Sequence, residues 1–367
     1  MKTRFRLQKI SSGKFDFILF GLVLGIALFG LLMIYNSSSV IAFNLFADKY
    51  KFIKDQLVWF TLGISALFVF YWTDYHKLYN LALPLLVSAL ILLILVFVPG
   101  IGAGALGANR WVDFRFFTVQ PAEFVKLGLA IYLAAWFSHK EKGRFGAFLL
   151  LMGGILFLIM LEPDLGTASI ILFESAFIYF LSGGSMKVFL LSTPIVALIG
   201  FVYIIIEPYR LSRLTSFLNL SNSISQTSYH VKQILIALGS GGIFGLGVGN
   251  SIQKYAYLPE NVTDSIFPII AEEFGFIGSV VLICVYAAFI WRGIYIATKA
   301  KDAFGKLLAV GIIAFIGTQI IINLAAMTVL VPLTGVPLPF ISYGGSALVI
   351  DLGSIGILLN IYKQSVR

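Results

Sequence analysis

Residues 17–35 read FILFGLVLGIALFGLLMIY, nineteen positions without one charged side chain. A helix of about 20 apolar residues crosses the roughly 30 Å hydrocarbon layer of a bilayer. This stretch is the centre of a first predicted span at 15–37. The basic head before it (Lys2, Arg4, Arg6, Lys9 and Lys14) resembles that of a signal peptide. The apolar run is too long for a signal core and no A-x-A site follows, so it reads as a retained span.

Comparable runs recur along the chain. Of its 367 residues 59% are apolar and 12% charged, and the mean hydropathy is +0.96. Soluble domains carry about a quarter charged residues, so the composition points to a polytopic membrane protein. Ten spans are predicted, near 15–37, 53–71, 78–98, 121–138, 145–162, 165–182, 186–206, 265–297, 304–331 and 343–363. The expected fold is an all-α bundle forming one integral domain over residues 1–367. Cys284 is the only cysteine, which rules out a disulfide within the chain, and His76, His139 and His230 lack zinc-site spacing. The net charge of +9 comes from basic residues gathered at span ends. That distribution marks membrane sidedness, and no nucleic-acid partner is expected.

With the N-terminus inside, sixteen of the 26 Lys and Arg residues fall on the inner side. Four of the other ten lie in one long outer connection, where the rule counts little. Both termini are therefore expected in the cytoplasm, which an even number of spans allows. The long connection, residues 207–264, contains ILIALGSGGIFGLGVGN at 234–250 and ends in YLPENVTD at 257–264. The glycine-rich piece has neither the G-K-[ST] ending of a P-loop nor the G-x-G-x-x-G register. It reads as close packing in a segment that partly re-enters or lies on the membrane, where irregular backbone at membrane depth must be covered by protein or line a wet cavity.

Charges inside spans are costly, roughly 2.5–3.5 kcal/mol each at the bilayer centre. Glu123 and Lys126 stand three apart on the fourth span, on one helical face, where they can pair. That pair either braces the bundle or shapes a wet cavity. Glu174, Glu272, Glu273 and Asp351 pose the same question. Arg110 and Trp111, in GANRWVDF, precede that span: the Trp suits an interfacial anchor, and the Arg suits lipid headgroups or a diphosphate held bidentately. Asp264, just before the eighth span, has two readings. Thr263 or Asp264 could cap that helix, or Asp264 could be a general base at the membrane surface, with Glu260 beside it.

Several blocks then tip the balance. GANRWVDF, VQPAEFVKLGLAIYLAAW, EPDLGTA, EPYRLSRLTSFL, QILIALGSGGIFGLGVGNSIQKYAYLPENVTDSIFPIIAEEFGFIG and TGVPLPFISYGGSALVIDLGSIGILLNI, in this order, resemble the SEDS family of bacterial cell-wall proteins over nearly the whole chain. GVGNSIQK ahead of the LPE turn is closer to the division branch than to the elongation branch. The resemblance implies a ten-helix bundle with a large extracytoplasmic loop between helices 7 and 8. It implies a peptidoglycan glycosyltransferase that polymerises lipid II, an undecaprenyl-diphosphate-linked disaccharide-peptide. Residue by residue, it makes Asp264 the catalytic carboxylate and carries Arg110, Glu123, Lys126, Ser342, Gly344, Gly345 and Ser346 into the site. Arg110, with Trp111, Arg210, Arg213 and Lys254, would meet the substrate diphosphate. The family's usual His before Thr-Asp and Phe after it are replaced here by Val262 and Ser265, so the motif itself offers no helper imidazole.

The resemblance also implies a divalent cation, Mg2+ or Mn2+, with Asp264 as a candidate ligand; no nucleotide, haem or zinc is expected. The expected partner is a single-span class B penicillin-binding protein, an FtsI-like transpeptidase, together with other divisome proteins. The expected place is the cytoplasmic membrane at the septum. Two rivals are weighed: a lipid II flippase, which inverted repeats with broken helices would favour and for which the sequence offers none, and a non-enzymatic scaffold.

Overall fold

A computed structural model describes residues 13–105, 108–115, 117–139, 144–185, 226–255 and 257–365, together with 200, 205, 211, 213–215 and 217. Helices are α1 (Phe17–Phe46), α2 (Lys51–Trp72), α3 (His76–Leu95), α4 (Pro121–Phe137), α5 (Phe145–Leu161), α6 (Leu165–Leu181), α7 (Gln226–Ser240), α8 (Ile266–Lys299), α9 (Ala303–Met327) and α10 (Gly345–Ser365). Nine of the ten predicted spans coincide with a helix; the seventh, 186–206, lies outside the described residues apart from 200 and 205. Six of these helices are long and apolar enough to cross a bilayer.

Local chemistry sets the boundaries. Asp16 accepts from the Ile18 and Leu19 amides at 3.2 and 3.1 Å and starts α1. Asp164 does the same for α6 through Thr167 N at 2.9 Å, and Asp302 for α9 through Gly305 N at 2.8 Å. Side-chain oxygens there satisfy amides that a helix start leaves without partners. Pro121 opens α4, where its missing N–H costs nothing. Helix α1 runs to Phe46, beyond the span predicted from apolarity, because NSSSVIAF continues helically until Ala47 turns into the left-handed region.

α4, α9 and α10 form the interior, and α2, α3, α6 and α8 pack around them. At Gly356 on α10 an added Cβ would lie 2.2 Å from the Leu67 carbonyl of α2, so only glycine permits that approach. Six of the charged side chains on the spans point inward: Glu123, Lys126, Glu174, Glu272, Glu273 and Asp351 are each buried.

Two features depart from an all-α bundle of unbroken spans. A small antiparallel sheet of β1 (Gly102–Ala105), β2 (Ala108–Asp113) and β3 (Thr118–Val119) connects α3 to α4 and satisfies the backbone there. Helix α8 is interrupted at Gly275, whose φ is 68°. The loop after α7 fills the break: Leu246 N and Gly247 N donate to the Glu272 and Glu273 carbonyls at 3.0 Å. In return Phe276 N and Ile277 N donate to Gly242 O and Ile243 O at 2.9 and 3.2 Å. The glycine-rich turns that follow α7 are thus docked into α8 by main-chain hydrogen bonds, and the broken helix absent from the sequence reading exists.

Candidate functional site

The YLPENVTD turn is held from three sides. Asn261 Nδ2 donates to Ser37 O and Lys254 O at 3.4 and 3.2 Å. Tyr343 N donates to Val262 O at 2.9 Å. Asn323 of α9 donates to the backbone oxygens of Asp264 and Val336 at 2.8 and 2.7 Å. Glu260 adopts a left-handed φ of 51°, an uncommon state for a side chain of that kind. With main chain so fixed, the Asp264 carboxylate is aimed into a cavity of about 980 Å³.

That cavity gathers most of the residues singled out in the sequence. Arg110, Trp111, Glu123, Lys126, Arg213, Glu260, Asp264, Gly344, Gly345 and Ser346 line it. Lys126 Nζ lies 2.8 Å from Glu123 Oε2 and donates to Gln319 Oε1 at 2.5 Å, forming a paired floor. Arg110, on β2, donates to Glu162 O and Pro163 O at 3.2 and 2.7 Å, so the sheet clamps the α5–α6 turn against the cavity. Arg213 Nη1 donates to Leu333 O at 2.9 Å. Ser346 Oγ accepts from Gln120 N at 3.2 Å, and Gly344 N donates to Gln56 Oε1 at 3.3 Å. Trp59, Met160, Leu161 and Ile170 add apolar wall.

Asp264 itself has few strong partners: Thr263 Oγ1 at 3.4 Å and Ser265 Oγ at 3.5 Å. Burial pushes its carboxyl up to about 7; Glu260 acts in the same direction and Arg213 opposes both. Glu162, buried at the α5–α6 turn, is likewise driven by burial to about 8, with Asp164 adding to the rise and Arg110 countering it.

Some expectations do not hold. The residue at the start of α8 is Ser265 and makes no side-chain cap bond, so neither Thr263 nor Asp264 caps that helix. Lys254 is turned away from the cavity: its Nζ binds Asn36 Oδ1 at 3.0 Å, the Gly249 carbonyl, and Glu273 Oε1 at 3.4 Å. A cation already engaged in a buried network is not available for a diphosphate. Ser342 does not line the cavity, and its Oγ accepts from Leu338 N at 2.8 Å to fix the turn before α10. Arg210 lies outside the described residues.

Sequence reasoning passed over Gln319 and Asn323, two amides four apart on the largely apolar α9, a spacing that puts both on one face. It also passed over His230, whose Nε2 lies 2.8 Å from Ser265 Oγ. Among the described residues no three acidic, His or Cys side chains gather as a metal cage. Glu260 and Asp264 both approach the Thr263 hydroxyl, at 2.8 and 3.4 Å. Such a pair suits the mode in which Mg2+ takes one or two protein carboxylates together with substrate phosphates.

The FtsW/RodA/SpoVE family profile, described as "Cell cycle protein", matches residues 16–367. Stage V sporulation protein E of Bacillus subtilis (strain 168) is 38% identical over 357 residues, covering 95% of this chain and 97% of that protein. The probable peptidoglycan glycosyltransferase FtsW of Geobacter metallireducens is 34% identical over 369 residues, covering 98% of each. Among solved structures, a chain from "Structural coordination of polymerization and crosslinking by a peptidoglycan synthase complex" superposes with a TM-score of 0.79 at 27% identity, covering 95% of this chain and 97% of that one. The rod shape determining protein RodA of Thermus thermophilus gives a TM-score of 0.71 at 25% identity, covering 96% and 98%.

Proposed function

The chain belongs to the FtsW/RodA/SpoVE family, and from that we propose that it is a peptidoglycan glycosyltransferase that polymerises lipid II in the bacterial cytoplasmic membrane. The observation that carries the chemistry is the Asp264 carboxyl, held near neutrality at the wall of a cavity that also contains Arg110 and Arg213. A general base works best when its pKa lies near the working pH.

Asp264 takes the proton of the acceptor sugar's 4-hydroxyl as that oxygen bonds to the anomeric carbon of the donor chain. The bond from that carbon to the diphosphate oxygen breaks, and undecaprenyl diphosphate leaves with inversion. Arg110 and Arg213 face the charge that grows on the leaving group, the kind of fixed electrostatic help that contributes most to many enzymes. Glu123, Lys126 and Gln319 keep the floor polar and rigid, and the apolar wall accommodates lipid. A divalent cation held by Asp264 and Glu260 would supply further neutralisation of the diphosphate.

The catalytic face is extracytoplasmic and both termini are cytoplasmic. The class B penicillin-binding protein remains the expected partner; the peptidoglycan synthase complex among the similar structures supports it. GVGNSIQK favours septal work over elongation, and imaging the tagged protein at the septum or the side wall decides between them.

The break in α8 is the one feature that suits a flippase. Transporters of that kind place matching breaks in two repeats, and among the described helices only α8 carries such an interruption. Purified protein mixed with lipid II and the partner transpeptidase separates the readings. Polymerisation predicts glycan strands that vanish in Asp264→Asn. Movement of lipid II across vesicles without strands, or strands made by the Asn variant, would refute it.

A further inference from the structure

Ser265 is fully buried at the N-cap of α8, where a serine hydroxyl ordinarily turns back to accept from an amide of the first turn. Here it makes no such bond. It faces the imidazole of His230 instead, with Nε2 2.8 Å from Oγ. The same hydroxyl lies 3.5 Å from Asp264 Oδ1. A chain of contacts therefore runs from α7 through the N-cap residue of α8 to the carboxylate, and it joins segments 35 positions apart in sequence. His230 stays in place because Val231 and Ile234, its neighbours on α7, are buried, and α7 packs on α8.

We infer that His230 is a positioning residue for Asp264, acting through Ser265 to hold the carboxylate in the orientation that accepts the substrate proton. The inference rests on the assignment of Asp264 as the general base.

Two roles for the ring compete: a relay that carries the proton away, or a fixed donor that orients. Burial drives the His230 ring down to about 4, and the Arg213 cation acts in the same direction. The ring is therefore neutral throughout the working range, and orientation wins over relay. In the tautomer with hydrogen on Nε2, the ring donates to Ser265 Oγ, which leaves the hydroxyl hydrogen for Asp264 Oδ1. That bond favours the ionised carboxylate, so its loss raises the pKa of Asp264.

The test compares His230→Ala, His230→Gln, Ser265→Ala and the double variant His230→Ala/Ser265→Ala in lipid II polymerisation, with Asp264→Asn run beside them. The expected result is a fall in kcat of roughly tenfold for His230→Ala and Ser265→Ala, with KM for lipid II within about twofold. The double variant should match either single one, because both sever the same chain. Gln, which can still donate to Ser265, should recover part of the rate. The acid limb of the kcat/KM profile should move to higher pH in both Ala variants, a change that loosened packing alone would not produce. If His230→Ala fails to fold, His230→Gln and Ser265→Ala still carry the pH readout. Wild-type kcat with an unmoved limb, or losses that simply add in the double variant, would overturn the inference. An inactive Asp264→Asn beside a fully active His230→Ala would remove His230 alone, whereas an active Asp264→Asn would remove the base assignment beneath it.

Discussion

Two acidic clusters border the same stretch of chain, and they are built in opposite ways. Around the break in α8, Glu272 accepts from Ser251 Oγ, from Ser240 Oγ at 3.3 Å, and from the Ile252 and Gln253 amides at 3.2 and 3.3 Å. Glu273 beside it meets Asn36, the Ser251 amide and Lys254. Eight residues before Glu272, Asp264 meets, among the described residues, two hydroxyls at 3.4 and 3.5 Å and its own amide, with an open cavity in front of it. Burying a charge is tolerable when partners surround it. The first cluster meets that condition and locks the glycine-rich turns onto α8. The second is left weakly partnered, and burial, with the Glu260 charge beside it, raises its carboxyl toward neutrality. The saturated pair at the break holds the fold together, and the weakly partnered carboxyl of Asp264 faces the cavity.

The sharpest way to break that contrast is to neutralise one member of each cluster. Asp264→Asn should lower polymerisation by roughly 10²–10⁴-fold, the usual contribution of a general base, in an assay of glycan strand formation. Lys254→Met should act on the fold instead. Removing one partner of a buried pair costs about 3–5 kcal/mol, read as a lower unfolding temperature in detergent, while the protein that remains folded polymerises at close to the normal rate. A Lys254 variant with normal stability but no diphosphate binding would return that lysine to the site.

The next effect has the opposite sign. The folded value for Asp264, about 7, lies above its ordinary 3.8. Ionisation is therefore disfavoured in the fold; stability is unaffected below about pH 4 and is lost as the pH rises toward 7. Asp264→Asn removes that cost and should stabilise the protein by up to about 4 kcal/mol at pH 8, with no gain at pH 4. Thermal unfolding at the two pH values checks it. A destabilised Asn variant at pH 8 would mean that Asp264 is structural after all. The smallest effect belongs to Glu260→Gln. Glu260 helps to raise Asp264, so its neutralisation should move the acid limb of the kcat/KM profile to lower pH by about half a unit.

How much of this was legible in the chain follows the range of the interactions. Apolar runs such as 17–35 announce their helices locally, and the blocks around Asp264, Arg110 and the Glu123–Lys126 pair identified the cavity wall before any fold was known. The small sheet did not announce itself, because GAGA and ANRWVD have no β-branched or aromatic alternation. Lys254 was misplaced for a different reason. A cation in an outer loop rich in basic residues looks available to a diphosphate, and its partner Asn36 stands 218 positions away. His230 and Ser265 were invisible as a pair on the same grounds. Which way a loop side chain turns is decided by tertiary contacts that spacing does not encode.

The central claim is that one under-partnered carboxylate at the cavity wall titrates near neutrality and accepts the acceptor sugar's proton. Its most direct test is the pH dependence of kcat/KM for lipid II polymerisation by the intact protein with its partner. The account predicts a rate that rises with one ionisation of apparent pKa near 7 and levels above it. A rate that stays level from pH 5 to pH 8 would contradict it.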